Sequence, residues 1–168
     1  MVTRSQLLTS PGQNKSIWKA PATGWNSCCV WAPEIHHYRG RWYVYYAAGE
    51  SGPPFVHQRT GVLRSATSDV FSEYEDMGVL YTGDTPGDPA TNIWAIDMTL
   101  LEHNGRLYAL WSGWEKQADT DATPQHLYIQ EMTDPVTFTG TRVKLSSPED
   151  SWETGGPLNL NEGPQVLK

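Results

Sequence analysis

The sequence predicts an all-β fold, a β-propeller built from four-stranded antiparallel blades. Three observations predict it. Helical periodicity is nearly absent, and 12 Pro and 15 Gly punctuate short aromatic and β-branched runs. A set of four such runs occurs twice. The two sets are in register: Pro33, Met98 and Pro164 stand 65 and then 66 residues apart, and Gly40 and Gly105, like Asp69 and Asp134, are 65 apart. Four strands per repeat, with no helix to cover either face, is the pattern of a propeller.

The elements follow in order. Thr3 to Leu8 and Ile17 to Ala20 are two weak strands, matching only the outer half of a blade. Trp31 to Tyr38 and Arg41 to Ala48 flank a turn at Arg39-Gly40, and the second run carries bulky residues on both faces, as a strand covered on both sides does. After a Gly/Pro-rich loop, Gly49 to Arg59, Thr60 to Ser65 and Gly78 to Tyr81 complete the first repeat. In the second, Trp94 to Leu101 and Arg106 to Trp111 flank Asn104-Gly105, a strong two-residue hairpin signal because both residues tolerate positive φ. A polar loop, Glu115 to Pro124, precedes strands at His126 to Gln130 and Thr141 to Leu145. Asn161 to Lys168 repeats only the first strand of a blade. The expected division is a half blade over 1–25, blades over 26–90 and 91–155, and the start of another over 156–168. A closed propeller needs at least about four blades, so the chain reads as a piece of a larger ring.

Composition narrows the partners. A net charge of −7 argues against nucleic acid and anionic membrane surfaces. No apolar run approaches the roughly 18 residues of a membrane helix, and no apolar stretch follows Met1 to Gln6 to make a signal peptide. Cys28 and Cys29 are adjacent, which suits neither a disulfide framework nor a metal site, and they read as two ordinary thiols. The 8 Trp and 8 Tyr against 3 Phe favour half-wet surfaces and clefts.

The chemistry centres on the hairpin from Ile93 to Trp114. Its first strand carries one acid, Asp97, near its start, and antiparallel pairing places Asp97 beside Ser112, Gly113 and Trp114. A carboxylate ringed by Trp94, Trp111 and Trp114 suggests a sugar site, where C–H faces pack on indole and hydroxyls meet a charged acceptor. The plainer alternative for Asp97 is a strand-start residue accepting backbone hydrogen bonds. Trp31 and Trp94 enter at the same rim and are candidate sugar platforms, with a core role as the alternative. Trp114 lies beyond the strand end, in a cleft position. Glu34 and His36 follow the rim closely and join the substrate-binding candidates, His36 with the alternative of an inter-blade hydrogen bond. His36 and His37 point to opposite strand faces and make a poor metal site.

At Trp31-Ala32-Pro33-Glu34-Ile35-His36 with Arg41 to Tyr46, at Ile96-Asp97-Met98-Thr99 with Gly105 to Tyr108, and at Asn161-Glu162-Gly163-Pro164, the sequence resembles glycoside hydrolase family 43. These are five-bladed propellers that include α-L-arabinofuranosidases, endo-arabinanases and β-xylosidases. Trp94-Ala95-Ile96-Asp97 and Leu110-Trp111-Ser112-Gly113 look most like the arabinofuranosidases. The resemblance implies inverting hydrolysis of plant cell-wall polysaccharide by three carboxylates. By motif Asp97 matches the Asp that tunes the acid and orients substrate, and Glu162 matches the general acid. The general base has no match in this chain, and Met98 stands where the family usually has Pro. No cofactor is implied for the chemistry. A structural Ca ion is held by some members, but no ligand set for one is visible. The partner implied is a carbohydrate, and secretion is expected of the full-length protein. Two other readings stay open: a non-catalytic carbohydrate-binding propeller or pseudoenzyme, and an unrelated propeller used as a protein-interaction scaffold.

Overall fold

The computed structural model describes residues 1–7, 9, 10, 12–83, 85, 86 and 88–167, with Pro89 described by its backbone alone. Leu8 and Lys168, the ends of two expected strands, lie outside the described residues.

Two antiparallel sheets dominate. The first contains β3 (Cys28–Tyr38), β4 (Arg41–Gly49), β5 (Arg59–Ser65) and β6 (Tyr74–Val79), paired in that order, after a small β1–β2 pair (Val2–Arg4 and Gln13–Lys15). The second contains β7 (Ala95–His103), β8 (Arg106–Gly113) and β9 (His126–Asp134), with β10 (Thr137–Phe138) and β11 (Val143–Ser146) both on β9. A 3-10 turn, Pro89–Thr91, precedes β7, and one helical turn, α1 (Ser151–Thr154), follows β11. The hairpins turn where expected. Arg39 and Gly40 have φ of 45° and 82°, Asn104 and Gly105 of 50° and 74°, the paired positive values of a two-residue turn that matches strand twist. Asp69 and Asp134 also act alike, each accepting the N–H two residues on, from Phe71 at 3.1 Å and Val136 at 2.9 Å.

The sheets pack face to face around Tyr43, Tyr45 and Val62 of the first and Met98, Ala109 and Trp111 of the second. Trp111 and Tyr45 have no exposed surface, and each such aromatic removes roughly 150–250 Å² from water. Tyr45 donates its hydroxyl to the Pro135 carbonyl across the interface at 2.6 Å. That contact fixes the register between blades, because losing the donor would strand a buried acceptor at a cost of about 1–3 kcal/mol.

Four expectations change. The outer strand of the first sheet is Tyr74–Val79 rather than residues 78–81, because a polar edge strand carries no apolar signal. The strand expected over Thr141 to Leu145 is β11, Val143–Ser146, and a further short strand, β10, precedes it, with Gly140 at φ 68° between them and its carbonyl held by Gln130 Nε2 at 3.0 Å. At the N-terminus the second strand is Gln13–Lys15, and Ile17 and Trp18 instead cover the first sheet, Trp18 lying 4.9 Å from the Tyr46 ring. Finally, Cys28 and Cys29 are not two thiols but a disulfide between neighbours. Strand neighbours normally face opposite ways, but Cys29 has φ 55° and β3 is irregular between Cys28 and Trp31, which brings the sulfurs to one side.

Candidate active site

Asp97 owes its position to a bulge. β7 pairs Ile96 with Ser112 and Thr99 with Leu110, so Asp97 and Met98 together oppose Trp111. Asp97 is therefore shifted past the expected Ser112–Trp114 neighbourhood. Its φ of 56° is left-handed, at a cost of about 1–2 kcal/mol for a residue with a Cβ. The bend sends Met98 into the inter-blade core and Asp97 into a cleft. The repeat builds the same bend elsewhere: Ala32 and Gly163, the equivalent positions, have φ of 37° and 60°.

Glu162 lies on a segment with no strand of its own. Gln125 forms a parallel bridge to Leu160, through Gln125 N–H to the Asn159 carbonyl and Asn161 N–H to the Gln125 carbonyl, both 3.0 Å. The Ser112 hydroxyl lies 2.9 Å from the Asn161 carbonyl, and the Gly163 N–H donates to Asp97 Oδ2 at 3.1 Å. Glu162 is thus one peptide bond from a direct contact with Asp97. Both carboxylates line one cleft of about 530 Å³, together with Trp31, Trp94, Leu158 and Leu160.

Charge and burial act on the pair. Burial raises the Asp97 carboxyl above its ordinary value; the Gly163 N–H partly opposes this, and the Glu34 charge adds to it. Burial, then the Asp97 charge, raises Glu162. A general acid needs that direction. Both groups hold their proton more tightly folded than unfolded. Their stabilising contribution is therefore present below the ordinary carboxylate values near 4 and is lost as pH rises through the folded values. Asp97→Asn removes one of these titrations while keeping an acceptor for Gly163. The variant should be more stable than the parent to urea at pH 7, with the advantage shrinking towards pH 4. An advantage that does not vary with pH would contradict the assigned cause.

The aromatic candidates separate. Trp31 borders the cleft and meets Phe55 edge-on, ring centres 4.9 Å apart. Trp94 also borders it but is only 2% exposed, and its indole N–H donates to the Phe55 carbonyl at 2.7 Å. Trp114 is 0% exposed and stacks behind Trp94 at 4.8 Å. Trp111 belongs to the inter-blade core and does not ring Asp97. Glu34 and His36 face across to β7: the Thr99 hydroxyl donates to Glu34 Oε1 at 2.6 Å, and His36 Nε2 lies 2.9 Å from the same oxygen. Gln165 Nε2 reaches Glu34 Oε2 at 3.3 Å. These two side chains tie β3, β7 and the Glu162 segment together.

Several cleft residues, Leu158 and Leu160 among them, carried no sequence signal. Gln125 is buried beneath the Glu162 segment, while Phe55 and Asp121 come from loops without periodicity. Among the described residues no three His, Cys, Asp or Glu side chains gather as a metal site. His36 is engaged with Glu34.

Comparison with known proteins identifies the family. Residues 5–168 match the family described as Glycosyl hydrolases family 43. The chain is 36% identical over its whole length to an extracellular exo-α-(1→5)-L-arabinofuranosidase of Streptomyces chartreusis, covering 48% of that protein. It is 32% identical to α-L-arabinofuranosidase 43 of Humicola insolens, over 90% of this chain and 29% of that one. The crystal structure of an α-L-arabinofuranosidase from Lactobacillus brevis superposes with a TM-score of 0.74 at 28% identity, covering 90% of this chain and 46% of the other. The chain therefore spans about half the length, or less, of the relatives it matches. Two antiparallel sheets, and a family match over residues 5–168, lead to one conclusion: the chain belongs to glycosyl hydrolase family 43.

Proposed function

We propose that this chain is part of an inverting glycoside hydrolase of the arabinofuranosidase type, acting on plant cell-wall polysaccharide. The observation that carries the reading is the Asp97–Gly163–Glu162 arrangement, which puts a carboxyl of raised pKa beside a second carboxylate in one sugar-sized cleft. Glu162 protonates the leaving oxygen. Burial, and after it the Asp97 charge, raises the Glu162 carboxyl, and Asp97 accepts a substrate hydroxyl. Trp31 offers an apolar face to the sugar. Water is activated by a carboxylate from a blade outside these residues, at roughly 6.5–9.5 Å from the acid. Side chains and water suffice for this chemistry, so no cofactor is invoked. The naming of two Streptomyces relatives as extracellular supports secretion of the full-length protein.

The second reading, a sugar-binding propeller without activity, has one observation in its favour. Of the three equivalent bends in this chain only that of Asp97 carries a carboxylate; the others carry Ala32 and Gly163. The experiment is proton NMR of the first product formed from an aryl α-L-arabinofuranoside by the chain continued to a closed propeller. Release of the β anomer is expected. Retention of the α anomer rejects the mechanism, and binding without turnover supports the second reading.

A further inference from the structure

Glu162 stands on a segment that belongs to no strand, and among the described residues its carboxyl takes no hydrogen bond of its own. Where that carboxyl lies is therefore decided by the backbone on either side. The backbone bridge from Gln125 ends at the Asn161 N–H. Beyond it, each of the two peptide groups that flank Glu162 is held by a side chain. The Ser112 hydroxyl donates to the carbonyl of the Asn161–Glu162 peptide at 2.9 Å, and the N–H of the Glu162–Gly163 peptide donates to Asp97 Oδ2 at 3.1 Å. Both side chains come from one place in the hairpin, because Ile96 pairs with Ser112 and Asp97 follows Ile96. Ser112 is fully buried, so water does not compete for its proton. A hydroxyl has one proton to give, and a second acceptor, Gln125 Oε1, stands at 3.1 Å. The Asn161 contact is the shorter. A bond that served folding alone would repeat the attachment Gln125 already makes; this one acts on the next peptide, the one that carries Glu162.

Resting on the proposed function, we infer that Ser112 is a positioning residue for the acid: its hydroxyl, together with the Asp97 carboxylate, grips Glu162 by both flanking peptides and fixes the direction from which the proton is delivered. The step it serves is the breaking of the glycosidic C–O bond, in which the Glu162 proton passes to the leaving oxygen. That transfer demands hydrogen-bond reach between acid and leaving oxygen, and a misplacement of about 1 Å can cost 10²-fold. A substrate whose leaving group needs no proton is indifferent to the misplacement.

The test uses the chain continued to a closed propeller and two aryl α-L-arabinofuranosides, one releasing a very acidic phenol and one a weakly acidic phenol. Ser112→Ala should lower kcat on the weakly acidic phenol by about 10- to 10²-fold, with KM little changed, and leave the other substrate near the parent. Burial and the Asp97 charge raise the Glu162 carboxyl, and a loosened Glu162 feels less of both. The limb on which kcat/KM falls with rising pH should therefore move to lower pH in the variant. Ser112→Thr keeps the hydroxyl and should restore both the discrimination between phenols and the limb. Should Ser112→Ala not fold, Ser112→Cys, a weak donor of similar size, carries the same expectation. Equal loss on both phenols, an unmoved limb, or a folded Thr variant that behaves as Ala does overturns the inference, and the proposed function still stands if Glu162→Gln separates the phenols. If Glu162→Gln loses both phenols equally, the proposed function fails and the inference with it.

Discussion

The 168 residues alone should hydrolyse aryl α-L-arabinofuranosides at no enzymatic rate. Loss of one general base lowers a rate by about 10²- to 10⁴-fold, and the bends equivalent to Asp97 supply only Ala32 and Gly163. The open sheet faces add to this. Val30 and Ile35 are exposed on β3, where they line an apolar groove of about 430 Å³ with Trp18 and Leu63. At the other end Leu167 is 96% exposed. In a closed ring such faces are covered by neighbouring blades; uncovered, they favour association. Ile17 and Trp18 shield part of the first face, so the exposed surface is narrower than the sequence suggests. Steady-state assay beside gel filtration tests this directly. A monomeric chain with full activity would refute both the missing-base and the open-face arguments.

In the chain continued to a closed propeller, Glu162→Gln should lower turnover of unactivated α-(1→5)-linked substrates by about 10²- to 10⁴-fold. Gln fills the same space and cannot supply the proton. Aryl substrates with very acidic phenols need little protonation and should be largely spared. The limb of the pH–rate profile on which kcat/KM falls with rising pH reports the general acid, so it should disappear in the variant. Burial and the Asp97 charge raise the Glu162 carboxyl, so in the parent that limb should lie above the ordinary glutamate range. Equal loss on both substrate types would remove Glu162 from the role of acid.

Much of the fold was legible because it is written as chain conformation. Asn104-Gly105 and Arg39-Gly40 announce their turns through residues that accept positive φ, and Asp69 and Asp134 do so through side chains that bond two residues ahead. The repeat aligns Asp97 with Gly163, whose N–H meets Asp97, and Glu162 stands one residue before it. What could not be read is what depends on the third dimension. Trp94, Trp111 and Trp114 are close in sequence, yet one borders the cleft, one fills the inter-blade core and one backs the first. A bulge of one residue decides between them. Phe55 and Asp121 were invisible because loops carry function without periodicity. The Cys28–Cys29 bond depends on a left-handed residue that nothing in the sequence marks.

The bend shared by Ala32, Asp97 and Gly163 has a consequence for how such a protein can change. The backbone there is set by the blade, and the side chain that fills the position does not set it: a methyl group, a carboxylate and a hydrogen atom occupy the same twist. Each of these positions therefore accepts different side chains on one backbone twist, and in one of them the side chain, Asp97, also holds the neighbouring Gly163 N–H. Reactivity can be written into one such position or erased from another by single substitutions, while the sheets behind them stay as they are. In such an architecture an active enzyme and an inert lectin are near neighbours in sequence space, and descent from one to the other leaves almost no trace in the scaffold.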